Sequence, residues 1–258
     1  QPNAMGGREV GGMANQLAAH QDFSPRSITA VADFWQAPNM VAGPGRKAVE
    51  MFQAIARGEI KALWIMGTNP AVSLPDTAAV ADALATCPLL IVSDCVQETE
   101  ASQYADVLLP AQGWGEKDGT VTNSERRVSR QRAFLPPLGE AKPDWWIVSQ
   151  IGQRLGFEEA FAFRSAAEIF REHATLTGTV TPARHLDLSD LARITDAEFE
   201  TLPPQQWGGR SPFEDGRFRT DDGRASLVPI PAHVPDQQPT EAHPFVLNSG
   251  RLRDQWHT

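Results

Sequence analysis

Two cysteines in 258 residues, Cys87 and Cys95, are too few for a disulfide scaffold, a four-cysteine zinc site or a cubane cluster within this chain. Basic residues are also in deficit. Lys and Arg total 23 against 32 Asp and Glu, a formal net charge of −9, which argues against a general nucleic-acid binder with its basic face. No run of eighteen apolar residues is present, so no membrane-spanning helix is expected. The six histidines (His20, His173, His185, His233, His243 and His257) show no His-x-x-x-His spacing, and no metal ligand is assigned among them. A Gly-x-Ser-x-Gly elbow, a P-loop and the Gly-x-Gly-x-x-Gly fingerprint are all missing. Nothing in the residues alone supports a self-contained nucleophilic or metal mechanism.

What is present suits a soluble globular protein of one to two domains, with 41% apolar and 21% charged residues. Gly and Pro number 20 each, so long connections are expected. Residues 1–44 show little periodicity beyond a short helix over Met13–His20. The texture then changes. Helical spacing over Arg46–Arg57 closes at Gly58, and Ala62–Met66 is a continuous apolar run typical of a buried strand. A helix opens at Pro75-Asp76-Thr77 and runs to Ala85. A second strand covers Leu89–Val92, a helix fits Glu98–Tyr104, and a third strand covers Val107–Leu109. Strands alternating with helices at this pitch predict βαβ units and a doubly wound, mostly parallel α/β sheet of the dinucleotide-binding kind. Thr120–Thr122 and Val128–Arg130 predict a small hairpin. Pro143–Leu155 and Ser165–Ala174 predict helices, the second with a capping box at Ser165 and Glu168, a signature repeated at Thr195 and Glu198. A hairpin across Asp222-Gly223 and a strand at Phe245–Leu247 complete the reading. The missing opening Met and the late strand raise the expectation of a piece of a longer polypeptide.

The strongest chemical feature is the first βα unit. Its strand delivers Gly67-Thr68-Asn69-Pro70 to the carboxyl end of the sheet, the edge where ligands bind in open α/β folds. Gly67 allows close approach, Thr68 and Asn69 offer polar groups, and a following helix start would favour an anion. Asp94 ends the second strand and could bond ribose hydroxyls. The same residues also suit an ordinary βα turn with a capping aspartate. The polar stretch 113–127 could bond a large polar ligand, or be a solvated hairpin tip. The two cysteines read as packing groups, and most of the seven tryptophans as core or interface residues.

Five collinear segments resemble the molybdopterin oxidoreductase superfamily: Gln1–Gly11, Met66–Ser73, Ser93–Pro110, Gly113–Arg127 and Leu247–Thr258. The first, together with Glu116-Lys117-Asp118-Gly119-Thr120, resembles bacterial assimilatory nitrate reductases. The resemblance implies a large cytoplasmic enzyme holding molybdenum between two molybdopterin guanine dinucleotides. Electrons would come from a donor protein or domain through a 4Fe-4S cluster, and nitrate would leave as nitrite. It implies that Gly67, Thr68 and Asn69 line the diphosphate and guanosine region, that Asp94 and Thr99 contact the guanosine, and that Trp114, Gly115 and Glu116 border the cofactor. Gly250, Arg251, Gln255 and His257 would approach the pterin or diphosphate. Gln1 and Arg8 would line the nitrate funnel, where Arg8 holds the anion. Residues 1–44 would be an active-site segment of the preceding domain, 45–200 the cofactor-binding domain, 201–240 a linker, and 241–258 the first strand of a β-barrel domain. The family's molybdenum-ligating cysteine and cluster motif would lie upstream, so this chain alone is expected to be inactive. Competing readings are another molybdopterin enzyme such as a formate dehydrogenase, or a non-catalytic α/β nucleotide-binding module.

Overall fold

The computed structural model describes residues 3–180, 186–209, 213–218, 220, 222–234 and 238–247. Three parallel strands, β1 (Leu63–Met66), β2 (Leu90–Asp94) and β3 (Val107–Pro110), lie in the order β1-β2-β3. Leu63 pairs with Leu90 and Ile91 with Val107. Helices α3 (Ala48–Ala56) and α5 (Thr77–Thr86) pack together on this sheet. Their buried face, Phe52, Ile55, Val80, Ala83 and Leu84, closes a core with Leu63, Ile65, Leu90 and Val92. Asp76 caps α5 by accepting the Ala79 N–H, and Gly58, at φ +70°, stops α3 in the left-handed region. The edge strand is less covered: Val107 and Leu108 are about two-fifths exposed.

The second unit is built on an antiparallel sheet of β4 (Gly119–Thr122), β5 (Arg127–Gln131) and the short β6 (Gln205–Gln206). Its core joins Val128 to Ala167, Phe170, Ala174 and Leu176 of α7 (Ala166–Thr179), Phe199 of α8 (Asp196–Glu200), and Trp207. Leu17, Ala18, Ala19 and Val31 are buried in the same core. The early segment therefore packs with residues more than a hundred positions away.

The fold is thus mixed α/β with a parallel sheet. The doubly wound expectation holds only in part, because the described strands run one way without the order reversal of that topology. Several local expectations are corrected. Residues 4–9 and 25–35 form helices α1 (Ala4–Glu9) and α2 (Pro25–Trp35). Pro25 occupies the first turn of α2 behind Ser24, whose hydroxyl accepts the Ser27 N–H. Met13–His20 contains only a three-residue 3-10 turn at Ala18–His20, with Ala19 and His20 both at positive φ. Glu98–Tyr104 is also only a 3-10 turn (Ser102–Tyr104), because the Thr99 and Ser102 hydroxyls each accept the other's backbone N–H in competition with a helix. Across Asp222-Gly223 there is a turn without a strand ladder among the described residues, and Phe245–Leu247 forms no strand. Those three residues are largely exposed and have no neighbouring strand to pair with among the described residues. The capping box at Thr195–Glu198 is complete. At Ser165 only the hydroxyl half forms, since Glu168 instead accepts the Arg164 N–H. No described helix is long and apolar enough to cross a membrane.

Candidate functional site

Parallel pairing brings the carboxyl ends of β1, β2 and β3 to one edge, with Met66 opposite Ser93 and Asp94 opposite Pro110. The loops leaving these ends carry Gly67, Thr68 and Asn69, then Asp94 and Thr99, then Trp114, Gly115 and Glu116. All eight therefore lie on strand-end connections of the same sheet. Gly67 has φ +59°, and a Cβ built there would meet nothing within 4 Å, so its backbone faces open space. Thr68 is exposed. A hollow of about 200 Å³ beside this turn is lined by Trp64, Met66, Thr68 and Leu74, among others.

Asn69 donates from Nδ2 to Glu100 Oε2 at 2.6 Å, while its Oδ1 is buried without a hydrogen-bond partner among the described residues. Together with a backbone hydrogen bond, the Asn69 donor holds the Glu100 carboxyl below the usual carboxylate range. Glu100 also belongs to this edge, a residue that no motif or spacing in the sequence singled out. Asp94 Oδ1 accepts the Val96 N–H at 3.1 Å. Cys95, next to Asp94, is exposed rather than packed as expected, and Cys87 is buried. Partial desolvation of its sulfur, then the Asp94 charge, push the Cys95 thiol upward, away from the reactive thiolate, even though the residue is exposed.

The expected helix-terminus anion site is not built at β1. The element after Asn69 is the four-residue α4 (Pro70–Ser73), whose first residue has no N–H to offer. The polar groups of this edge are side chains and loop peptides instead.

The third connection is largely engaged within the fold. Glu116 Oε2 accepts the Gly113 N–H at 2.7 Å, and its Oε1 accepts the Leu138 N–H at 2.9 Å. The Gly115 carbonyl accepts from Phe134 and Leu135, whose side chains pass so close that a Cβ would lie 2.9 Å from Leu135 Cδ1. Thr99 is committed to its turn with Ser102. Trp114 is half exposed and free to cover a ligand with its ring face.

Arg8 lies apart, on α1, and is exposed. Three of the four glycines around it have steric reasons; Gly7 does not. The Asn3 side chain folds over Gly6, where a Cβ would collide with Asn3 Oδ1. Gly11, at φ +77°, lets the chain turn so tightly that a Cβ would sit 2.6 Å from the Ala18 nitrogen. A Cβ at Gly12 would sit 2.8 Å from the Gly7 carbonyl oxygen. The segment is a tight backbone device that ends with an arginine pointing outward. Gln1, Gly250, Arg251, Gln255 and His257 lie outside the described residues.

A profile described as Molybdopterin oxidoreductase matches residues 3–154. Over its whole length the chain is 50% identical to a nitrate reductase of Klebsiella oxytoca, of which it covers 30%. It is 32% identical both to the assimilatory nitrate reductase catalytic subunit of Bacillus subtilis and to the F420-dependent formate dehydrogenase subunit alpha of Methanocaldococcus jannaschii, covering 37% of each. The chain thus spans 30% to 37% of the length of these relatives. Its fold is similar to acetylene hydratase from Pelobacter acetylenicus, with a TM-score of 0.50 and 17% identity over 66% of this chain and 22% of the other.

Proposed function

The chain belongs to the molybdopterin oxidoreductase family, and from that premise we propose that it is the cofactor-clasping portion of a cytoplasmic molybdenum nitrate reductase. The observation that carries the reading is the 50% identity to a nitrate reductase over the whole length of the chain. The formate dehydrogenase relative, at 32%, supports the competing reading less.

The sheet edge fits a bulky polar cofactor such as a molybdopterin guanine dinucleotide. The unpartnered Asn69 Oδ1, the open space over Gly67 and the exposed Thr68 are the groups that would hold it, with Asp94 and Thr99 toward the guanosine. Trp114, Gly115 and Glu116 would form a rigid border. Gly250, Arg251, Gln255 and His257 remain candidate contacts to the pterin or diphosphate. When bound, the molybdenum cofactor supplies the two-electron chemistry that turns nitrate and two protons into nitrite and water. The chain's own contribution is to bind and orient. Arg8 would hold the nitrate charge with its planar fork, which matches two oxygens at once, and Gln1 would stand beside it. Residues 1–44 would supply this funnel segment, 45–200 the cofactor domain, 201–240 the linker, and 241–258 the start of a barrel domain. The metal ligand, a 4Fe-4S cluster and the contact with an electron donor would belong to other parts of the polypeptide, so residues 1–258 alone are inactive in this reading.

The test is turnover with a reduced viologen by the full-length protein, given nitrate or formate. Nitrite production whose nitrate KM rises at least tenfold in Arg8→Ala, and no viologen reduction by formate, is the expected result. Formate-dependent turnover would overturn the reading, and so would nitrate reduction by purified 1–258.

A further inference from the structure

Arg8 stands on a helix that cannot hold its own shape. α1 has six residues, two of them glycine. Each glycine costs roughly 1 kcal/mol against alanine in a helix, and an isolated helix under about twelve residues is marginal even in good sequences. Tertiary contacts must hold it. At its start, Asn3 Oδ1 accepts the Thr122 N–H of β4 at 2.9 Å. Near its end, the Gln16 side chain donates to the Arg8 carbonyl.

The third anchor is Glu9, which is 4% exposed. Its Oε2 lies 3.6 Å from Nε2 of His173 on α7. Its Oε1 is buried and has no hydrogen-bond partner among the described residues. As a pure stability device this is a poor choice. A buried carboxylate with one imidazole neighbour carries a desolvation cost that an apolar side chain in the same hole would avoid. What the pair does achieve is orientation. Successive residues on a helix point about 100° apart, so fixing Glu9 inward against α7 turns Arg8 outward and sets its direction.

We infer that Glu9 and His173 are positioning residues for Arg8, holding the end of α1 so that the guanidinium is presented to the oxyanion. This rests on the reading of Arg8 as the nitrate-holding group. The two ideas separate in a mutant cycle on the full-length enzyme, read as nitrate KM and kcat, with nitrate Kd by calorimetry where turnover is slow.

Arg8→Ala is expected to weaken nitrate at least tenfold; if it does not, the reading of Arg8 fails. Glu9→Ala is expected to raise KM about five- to tenfold with kcat within about twofold, because only the placement of a binding group is disturbed. The isosteric Glu9→Gln, which keeps the volume, should recover most of that KM, and His173→Gln should resemble it. In the Arg8→Ala background none of these changes should raise KM or Kd further. The inference is overturned if Glu9→Ala leaves KM unchanged while Arg8→Ala raises it, or if its effect is equal in both backgrounds. Should Glu9→Ala fail to fold, the cycle is decided on His173→Ala, which removes the same anchor from the α7 side and is expected to raise KM about five- to tenfold: an effect that is absent, or equal in both backgrounds, overturns it.

Discussion

Replacing Arg130 by methionine tests how the second unit holds together. The Arg130 side chain is 1% exposed. Its Nε donates to the Phe199 carbonyl at 2.9 Å, and its Nη1 to the Gly119 and Gln131 carbonyls at 2.6 and 2.8 Å. Its Nη2 reaches Asp118 at 2.7 Å and Glu200 at 2.8 Å. The guanidinium carbon lies 4.1 Å from the Phe199 ring centroid. Five N–H groups thus meet five acceptors, the full capacity of the fork. The two carboxylates are 49% and 62% exposed. Each can return to water when its partner is lost, so each ion pair contributes at most about 1 kcal/mol. The carbonyls matter more. That of Phe199 is on a buried residue, and losing its charged donor costs about 2 kcal/mol; those of Gly119 and Gln131 are partly open and cost about 1 kcal/mol each. Relief from burying a charge offsets part of this sum.

The expected loss for Arg130→Met is therefore about 2–4 kcal/mol. Urea unfolding followed by tryptophan fluorescence reports it, since Trp207 sits in the same core. Added salt separates the two contributions. If the carbonyls dominate, the difference between wild type and variant should hold at 0.5 M NaCl, where exposed ion pairs are screened. A variant as stable as wild type would refute the reasoning, and so would a difference that vanishes in salt.

Other expectations concern single contacts. Gly152→Ala would drive a Cβ to 2.5 Å from the Phe161 ring, and overpacking of this kind should cost about 1–3 kcal/mol in the same urea assay. Leu90→Ala in the central parallel strand, at 0% exposure, should cost about 2–5 kcal/mol by the same measurement. Glu172, beside a cleft of about 910 Å³ lined by Trp35 and Phe157, has its carboxyl pushed above 4.5 by burial, against the hydrogen bond from Trp35 Nε1. A raised carboxyl holds its proton better when folded, so its contribution is fully present below pH 4.5 and declines as pH rises from there to the folded value. Thermal melts should show this slope in wild type and a flatter one in Glu172→Gln. Asp22 behaves oppositely. Hydrogen bonds from Ser24 and Ser27 hold it at about 2, so its support of the α2 entry is present above pH 3.8 and is lost towards pH 2, a loss absent in Asp22→Asn acid titrations.

The elements legible in the sequence are those whose cause is local. The apolar runs at 62–66 and 89–92, with turn residues behind them, could only be buried strands, and the loops at the strand ends followed from parallel pairing. α2 was equally local in origin, since Ser24-Pro25 is a helix start, but it lies within residues 1–44, where little periodicity shows. Glu98–Tyr104 failed for a local reason of the other kind: two hydroxyls offered the backbone a better partner than the helix did. The pairs that fix the site were not legible. Glu9 meets His173, and Arg130 meets Phe199 and Glu200, across separations that no spacing rule reaches.

That division bears on how an acidic chain can hold anions. With a net charge of −9, no general positive field would draw in the nitrate or diphosphate proposed above, so attraction would have to come from single groups in fixed places. Fixing such a group on a regular, self-sufficient helix would be simpler, yet Arg8 sits on six residues with two glycines. Gly6 is needed because the Asn3 side chain folds over it, and Gly11 and Gly12 just beyond the helix let the backbone pass close to Ala18 and Gly7. The glycines lower local helix stability, the contacts at Thr122 and Gln16 hold the helix instead, and His173 faces Glu9 from α7. Local propensity and final structure therefore disagree most at the position where function is read, as expected when a site is set by its surroundings and not by its own sequence.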